Sequence, residues 1–262
     1  MPNLLPIFDQ LAPMVVVLSR VGGLFILAPM LSGVTIPVQA RALLAVSLSV
    51  AMLGLASPAL RAMPEPSLAS LLPLVLSETL VGFVIGAFGM MPVMAISMGG
   101  QIMGYQMGIS IAQTYSPELD TQSEVVAQIY SLAGMGTFVV LGGVDALLLG
   151  VARSYESIPV GSMGAGQVPL AAFLDLIGAG LELAMRISAP VLAAVLVVLA
   201  SMGAVMKTVP QFNVMSVGFT LKILIGVAIM ISAHDAIHAA GIEGMTRAID
   251  DMILWLRGVA HG

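Results

Sequence analysis

Cysteine is absent from all 262 residues, which removes disulfides, thiolate chemistry and cysteine-bearing metal sites. Charge is scarce as well. Asp, Glu, Lys and Arg together make up 9% of the chain, against roughly 25% in an ordinary soluble domain. Hydrophobic residues reach 59% and mean hydropathy is +1.06, so no soluble fold of this length could hide the apolar surface. At about 20 residues per span, there is room for about six to eight hydrophobic helices and little else. The expected fold class is all-α: an integral membrane protein, or one inserted and then gathered into a larger body. The net charge of -5 is spread thinly, without a basic cluster, which argues against nucleic-acid binding. Nucleophile elbow, phosphate loop, HExxH and dinucleotide fingerprint are all missing, so neither an enzyme nor a bound cofactor is expected. A cleavable signal peptide is not expected either, because Asp9 precedes the first basic residue, Arg20, and no small-residue cleavage site follows a short apolar core.

What is present is a long uncharged run. Between Glu78 and Glu118 there is no charged side chain, and seven glycines fall within it. Its most polar part reads Gly99-Gly-Gln-Ile-Met-Gly-Tyr-Gln-Met-Gly108, with Pro92 upstream. Seven glycines and a proline suit one straight helix poorly, and irregular backbone at membrane depth survives only where protein or water satisfies its amides. The run therefore predicts a broken, closely packed element beside a pore or a partner. Gly99, Gly100, Gly104 and Gly108 would let neighbouring backbones approach. Met90, Met94 and Met98 recur four apart, with Met91, Met103 and Met107 nearby; such a stripe is a compliant seal or ordinary helix packing.

Along the chain, Leu11 to Leu31 is the first apolar segment and Ile36-Pro37 opens the second, which continues to Ser57. A Pro-rich connector leads to a third segment, Leu68 to Met91, and the Gly-rich fourth covers about Met94 to Ile111. A polar acidic loop follows. Thr121-Gln-Ser-Glu124 reads as a capping box opening a helix from Val125 towards Val151. Arg153 to Pro169 is the longest flexible connector. Leu170 to Met206 and Val214 to Ile237 form a helical hairpin around Lys207-Thr-Val-Pro-Gln-Phe-Asn213, with Pro190 kinking the first helix. In the tail, Ile242, Met245, Ile249, Met252 and Leu256 recur at helical spacing, an amphipathic helix for a membrane surface or a partner. Arg247 and Arg257 favour a cytoplasmic C-terminus.

Charges inside apolar segments are costly without a partner. The candidates are Arg41, Glu78, Asp145, Glu182 and Arg186. Glu182 and Arg186, four apart, are expected to pair along one helix face. Glu78 and Asp145 have no partner in sequence reach and would contact another helix, another subunit or water. Arg41 sits near a helix start, where the dipole disfavours a cation, and this implies an external acceptor, a carboxylate or a lipid phosphate. His234 and His238, four apart, resemble half a metal site. The plainer reading is two histidines in the last turns of a helix, so no metal site is expected.

The blocks Leu24-Phe-Ile-Leu-Ala-Pro29, Ile36-Pro-Val-Gln-Ala-Arg41, Gly100-Gln-Ile-Met-Gly-Tyr-Gln-Met-Gly-Ile-Ser-Ile-Ala112 and Pro210-Gln-Phe-Asn-Val-Met-Ser-Val-Gly-Phe-Thr-Leu-Lys-Ile223 resemble the FliR family. These are subunits of the flagellar type III export gate, related to the SctT subunits of injectisomes. Thr220 departs from the proline common there. The resemblance implies a hydrophobic helical-hairpin subunit with broken helices, built for a hetero-oligomeric pore lifted largely out of the bilayer plane. Residues 1–262 would be one module: a FliP-like part to about residue 165, then a FliQ-like hairpin with the amphipathic C-terminal helix. It also implies a plug in the pore, formed by Gly108, Ile109, Ser110, Ile111, Ala112, Gln113, Thr114, Tyr115, Ser116, Pro117, Glu118, Leu119 and Asp120. The family's methionine ring belongs mainly to FliP, so the methionines here do not inherit that role. The hairpin loop, with Lys207, Pro210, Gln211, Phe212 and Asn213, would face the cytoplasm and a FlhB-like switch protein.

The expected function is thus a non-enzymatic, multi-pass inner-membrane subunit of the flagellar basal body. It would help form and seal the pore for unfolded flagellar substrates beside FliP-like and FliQ-like subunits and membrane lipid. An injectisome subunit of the SctT type is the near alternative. A solute transporter would instead show corresponding broken segments in two halves, and only one Gly-broken segment is evident. A membrane enzyme would need a clustered catalytic set, which is missing.

Overall fold

The computed structural model describes residues 5–31, 36–61, 68–109, 125–161, 170–208 and 214–259. Among them every regular element is a helix: α1 Leu5–Leu27, α2 Val38–Arg61, α3 Leu68–Met107, α4 Val125–Val140, α5 Gly143–Ser157, α6 Leu170–Thr208, α7 Val214–Ser232 and α8 His234–Val259. Pro37 stands just ahead of α2, where its missing N–H costs nothing, and its carbonyl accepts the Arg41 N–H at 3.1 Å. Three helices are long and apolar enough to cross a membrane, within Val38–Ala56, Leu71–Met107 and Leu170–Val205.

The breaks do not fall where glycine and proline content alone places them. The expected division of residues 68–111 into two segments is overturned: α3 is one helix of 40 residues that runs through Pro92. Proline removes one helical hydrogen bond, and packing repairs the course of the chain around it. Pro92 and the neighbouring Val93, Ala95 and Ile96 are all buried. The expected helix from Val125 to Val151 is instead two. It turns by 59° between α4 and α5 at Gly142, which takes φ 72°, a left-handed conformation that glycine enters without penalty. Likewise the expected helix Val214 to Ile237 ends at Ser232, and α8 departs at 62°. His234 and His238 therefore open α8 rather than closing the preceding helix.

Two compact units are built from interleaved segments. One comprises Met1–Met91, Phe138–Ile177 and Met245–Gly262. Its core holds Val17, Val21, Leu24, Ile85 and Leu147, joined by Met245, Met252 and Leu256 of the tail. Three positions of the amphipathic stripe of α8, Met245, Met252 and Leu256, are thus buried within this unit, with Met252 against Gly150 and Ile85, while Ile242 and Ile249 are only half-buried. The other unit comprises Pro92–Thr137 and Gly178–Gly244, with Ile96, Met103, Met107, Ile187, Val191 and Val195 in its core.

Candidate functional site

In the first unit α1 and α3 meet through glycine. A Cβ on Gly82 would collide with the Arg20 carbonyl and lie 2.8 Å from the Leu24 nitrogen, and one on Gly23 would lie 2.9 Å from the Thr79 carbonyl carbon. Missing side chains let the two backbones touch, and the close crossing delivers Arg20 to Glu78. Arg20 Nε donates to Glu78 Oε2 at 2.6 Å, with both side chains shielded from solvent. Its Nη1 donates to Ser154 Oγ at 2.9 Å and Nη2 to the Ile158 carbonyl at 3.3 Å. The guanidinium carbon lies 4.2 Å from the Tyr155 ring centroid, a cation–π contact on its remaining face. Glu78 Oε1 accepts the Gly161 N–H at 3.0 Å. A buried pair is tolerable only when its spare donors and acceptors are also satisfied. Here those partners hold the end of α5 and the chain leaving it onto α1 and α3.

The other sequence candidates lie elsewhere. Asp145 is exposed in the first turn of α5, where the helix dipole favours an anion. Glu182 and Arg186 are both exposed, and their expected pairing is overturned: Arg186 Nη1 meets Glu243 Oε2 at 2.8 Å. That partner on α8 sits nearer than sequence spacing could suggest. Arg41 finds an acceptor within the chain, donating from Nη2 to the Ile36 carbonyl at 3.2 Å, rather than requiring only an outside one. His234 and His238 are exposed and stack with ring centroids 6.1 Å apart. No cluster of three metal-capable side chains occurs among the described residues. Arg20 is the residue of this cluster that spacing arguments miss. The available signal was an arginine stranded in an apolar segment, together with a Glu78 in need of a cation.

In the second unit the Gly-rich end of α3 is a contact surface. A Cβ on Gly99 would lie 2.8 Å from Ile187 Cγ2, and one on Gly100 would lie 3.1 Å from Ala127 Cα. Gly104 is buried too, and its carbonyl accepts the N–H groups of Gly108 at 3.1 Å and Ile109 at 3.2 Å, which closes the helix. Gly108 takes φ 82°, so the chain turns out of α3 in a left-handed conformation open to glycine. Phe219 of α7 lies over it, 3.0 Å from where a Cβ would stand, and Met107 packs at Gly226. The helix exit is therefore held by α7. The rest of the expected plug, Ser110 to Asp120, lies outside the described residues, as do Pro210, Gln211, Phe212 and Asn213 of the hairpin loop. Lys207 is exposed in the last turn of α6. Of the methionines, Met103 and Met107 are buried, whereas Met94 and Met98 point outward with 53% and 41% exposure.

Comparison with known proteins adds relatives to this geometry. Residues 11–246 match the family described as bacterial export proteins, family 1. The flagellar biosynthetic protein FliR of Bacillus subtilis is 32% identical over 194 residues, covering 71% of this chain and 74% of that one. FliR of Aquifex aeolicus is 28% identical over 156 residues, and the match spans 60% of each chain. The surface presentation of antigens protein SpaR of Shigella sonnei is 23% identical over 171 residues, with 65% of this chain and 66% of that one covered.

Proposed function

Because the chain belongs to the bacterial export proteins, family 1, we propose that it is the FliR-type subunit of a flagellar type III export gate. In this role it completes the pore through which unfolded flagellar proteins cross the inner membrane, within the flagellar basal body. The observation that carries the reading is helix α3. Its apolar stretch of 37 residues is about 55 Å long at 1.5 Å per residue, against a hydrocarbon core of about 30 Å. Much of such a helix must be covered by protein rather than lipid, as in a gate raised out of the bilayer. Met94 and Met98 on its outward side are soft, adaptable contacts for a neighbouring subunit.

FliP-like and FliQ-like subunits are the neighbours this reading requires, with a FlhB-like switch protein at the hairpin loop. Residues before about 165 take the FliP-like part, and α6, α7 and α8 the FliQ-like part. The segment Gly108 to Asp120 is the plug that keeps the resting pore shut. Catalysis and cofactors have no place in it; the driving energy comes from an ATPase and the proton-motive force acting through other components. The 32% identity to a flagellar FliR against 23% to SpaR favours a flagellum over an injectisome.

Deleting the gene tests this. The expected strain lacks filaments and retains flagellar substrates inside the cell, and the tagged chain restores export and co-purifies with FliP-like and FliQ-like proteins. Normal motility with a defect confined to an injectisome would move the subunit to that machine. A chain that purifies alone and transports a small solute would overturn the export reading.

A further inference from the structure

A groove of about 350 Å³ runs between α5 and α8 in the first unit, and the Arg20–Glu78 cluster has no part in its lining. Leu149 and Ile253 give it an apolar floor above the buried Leu256, and Arg153, Arg257 and Glu156 add charge to its lining. Arg153 belongs to the last turns of α5 and Arg257 to the last turn of α8. Arg257 sits where the helix dipole stabilises a cation, whereas Arg153 lies ahead of the last turn of α5. Among the described residues neither guanidinium is engaged in an ion pair. Two arginines against one glutamate leave a single positive charge.

We propose that this groove binds one acidic phospholipid, its phosphodiester held by Arg153 and Arg257 and the start of an acyl chain laid on the apolar floor. The volume lies in the range of small-molecule sites, about 300–1,000 Å³. A free phosphate would leave the floor uncovered, and a plain hydrocarbon would leave two guanidinium groups without an acceptor. An anionic amphiphile satisfies both, and planar guanidinium groups bind phosphate oxygens in pairs. Taken together, the two helices of each bent pair, α4 with α5 and α7 with α8, pass as a broken span or a re-entrant loop by length and composition. Arginines at the ends of such spans reach the headgroup layer.

The chain supplies its own probe, because Trp255 is its single tryptophan. It precedes Leu256 of the groove, and its ring packs on Phe88 at 6.1 Å between centroids. The full chain is reconstituted in phosphatidylcholine vesicles, and Trp255 fluorescence is followed as phosphatidylglycerol brominated on its acyl chains replaces the host lipid. Brominated phosphatidylcholine forms the second arm. Quenching is expected at a roughly tenfold lower fraction of the acidic lipid, from two arginine contacts partly offset by Glu156. The double variant Arg153→Gln/Arg257→Gln should lose that preference while both lipids still quench at high fraction. Ile253→Phe, which narrows the groove, should weaken quenching by the acidic lipid with both arginines in place. Equal quenching by the two lipids overturns the proposal, as does a preference that survives the double variant. Release of the acidic lipid by millimolar inorganic phosphate makes the groove a plain anion site and also overturns it.

Discussion

Arg20 and Glu78, 58 residues apart, form a 2.6 Å ion pair with both side chains shielded from solvent. Each side chain also serves the chain leaving α5, Arg20 through Ser154 and Ile158 and Glu78 through Gly161. Glu78→Ala should therefore do more than remove one contact, because it leaves a buried guanidinium without its anion. Breaking such a pair from one side costs about 3–5 kcal/mol. Arg20→Met/Glu78→Met, which removes both charges, should cost less than Glu78→Ala alone. Thermal unfolding of the purified chain in detergent measures both. A double variant as damaged as the single one would mean that the charges themselves contribute little.

The glycine crossing that brings the pair together makes a second prediction. Gly82 has no room for a methyl group against the Arg20 and Leu24 backbone, whereas Gly178 in α6 has nothing within 4 Å of the same position. In an open helix interior Gly→Ala stabilises by about 1 kcal/mol. Gly178→Ala should show that gain in the same unfolding assay. Gly82→Ala should instead lower stability and loosen the Arg20–Glu78 contact. Faster hydrogen exchange in α1 of Gly82→Ala, but not of Gly178→Ala, would separate the two. Equal effects at both sites would show that α1 and α3 do not depend on this crossing.

The composition and apolar runs made the all-helical class, the order of the helices and the Gly-rich contact surface legible. The bends were less so. Pro92 and its glycine-rich surroundings read as a break, yet α3 passes through them with Pro92, Val93 and Ile96 all buried. Gly142 had little local signal beyond the pair Gly142-Gly143, yet its left-handed turn redirects the chain. Helical spacing fixed which residues share a face and nothing about which faces meet. Glu182 therefore looked like the partner of Arg186, while Glu243, distant in sequence, supplies the carboxylate. Glu78 was recognisable as a charge needing company. Arg20 could be assigned to it only once the helices were placed together.

The hairpin between α6 and α7 is open to chemical test because the chain has no cysteine of its own. Lys207 is exposed at the end of α6, and Pro210, Gln211 and Asn213 follow in a short polar connection. In the proposed gate this connection faces the cytoplasm beside the FlhB-like protein. Gln211→Cys and Asn213→Cys should each crosslink to a cysteine series in that protein when the complex is active. Crosslinks confined to periplasmic partners would invert the orientation. Their absence at every position of an exporting complex would remove the switch protein from this end.

Gly108 turns the chain out of α3 under Phe219 of α7, just ahead of the residues expected to form the plug. Those residues include Gln113, Thr114, Tyr115, Ser116, Glu118 and Asp120, which are too polar to meet lipid and must find water, a pore or a polar partner. Glu118 and Asp120 have no basic residue near them in sequence, and a charged carboxylate is far less costly in a wet lumen than in a dry contact. Ile109, Ile111 and Tyr115 would supply the apolar closure. Shortening Gln113 to Glu118 should leave the complex assembled, since α3 ends before the deletion and its packing partners α4, α6 and α7 begin after it. The membrane should then leak ions, measured as uptake of a small dye or loss of membrane potential in cells carrying the variant. Phe219→Ala, which keeps the segment but frees its exit, should give a weaker leak of the same kind. A tight membrane with normal export in the shortened variant would show that this segment is an ordinary loop and that the seal lies in another subunit.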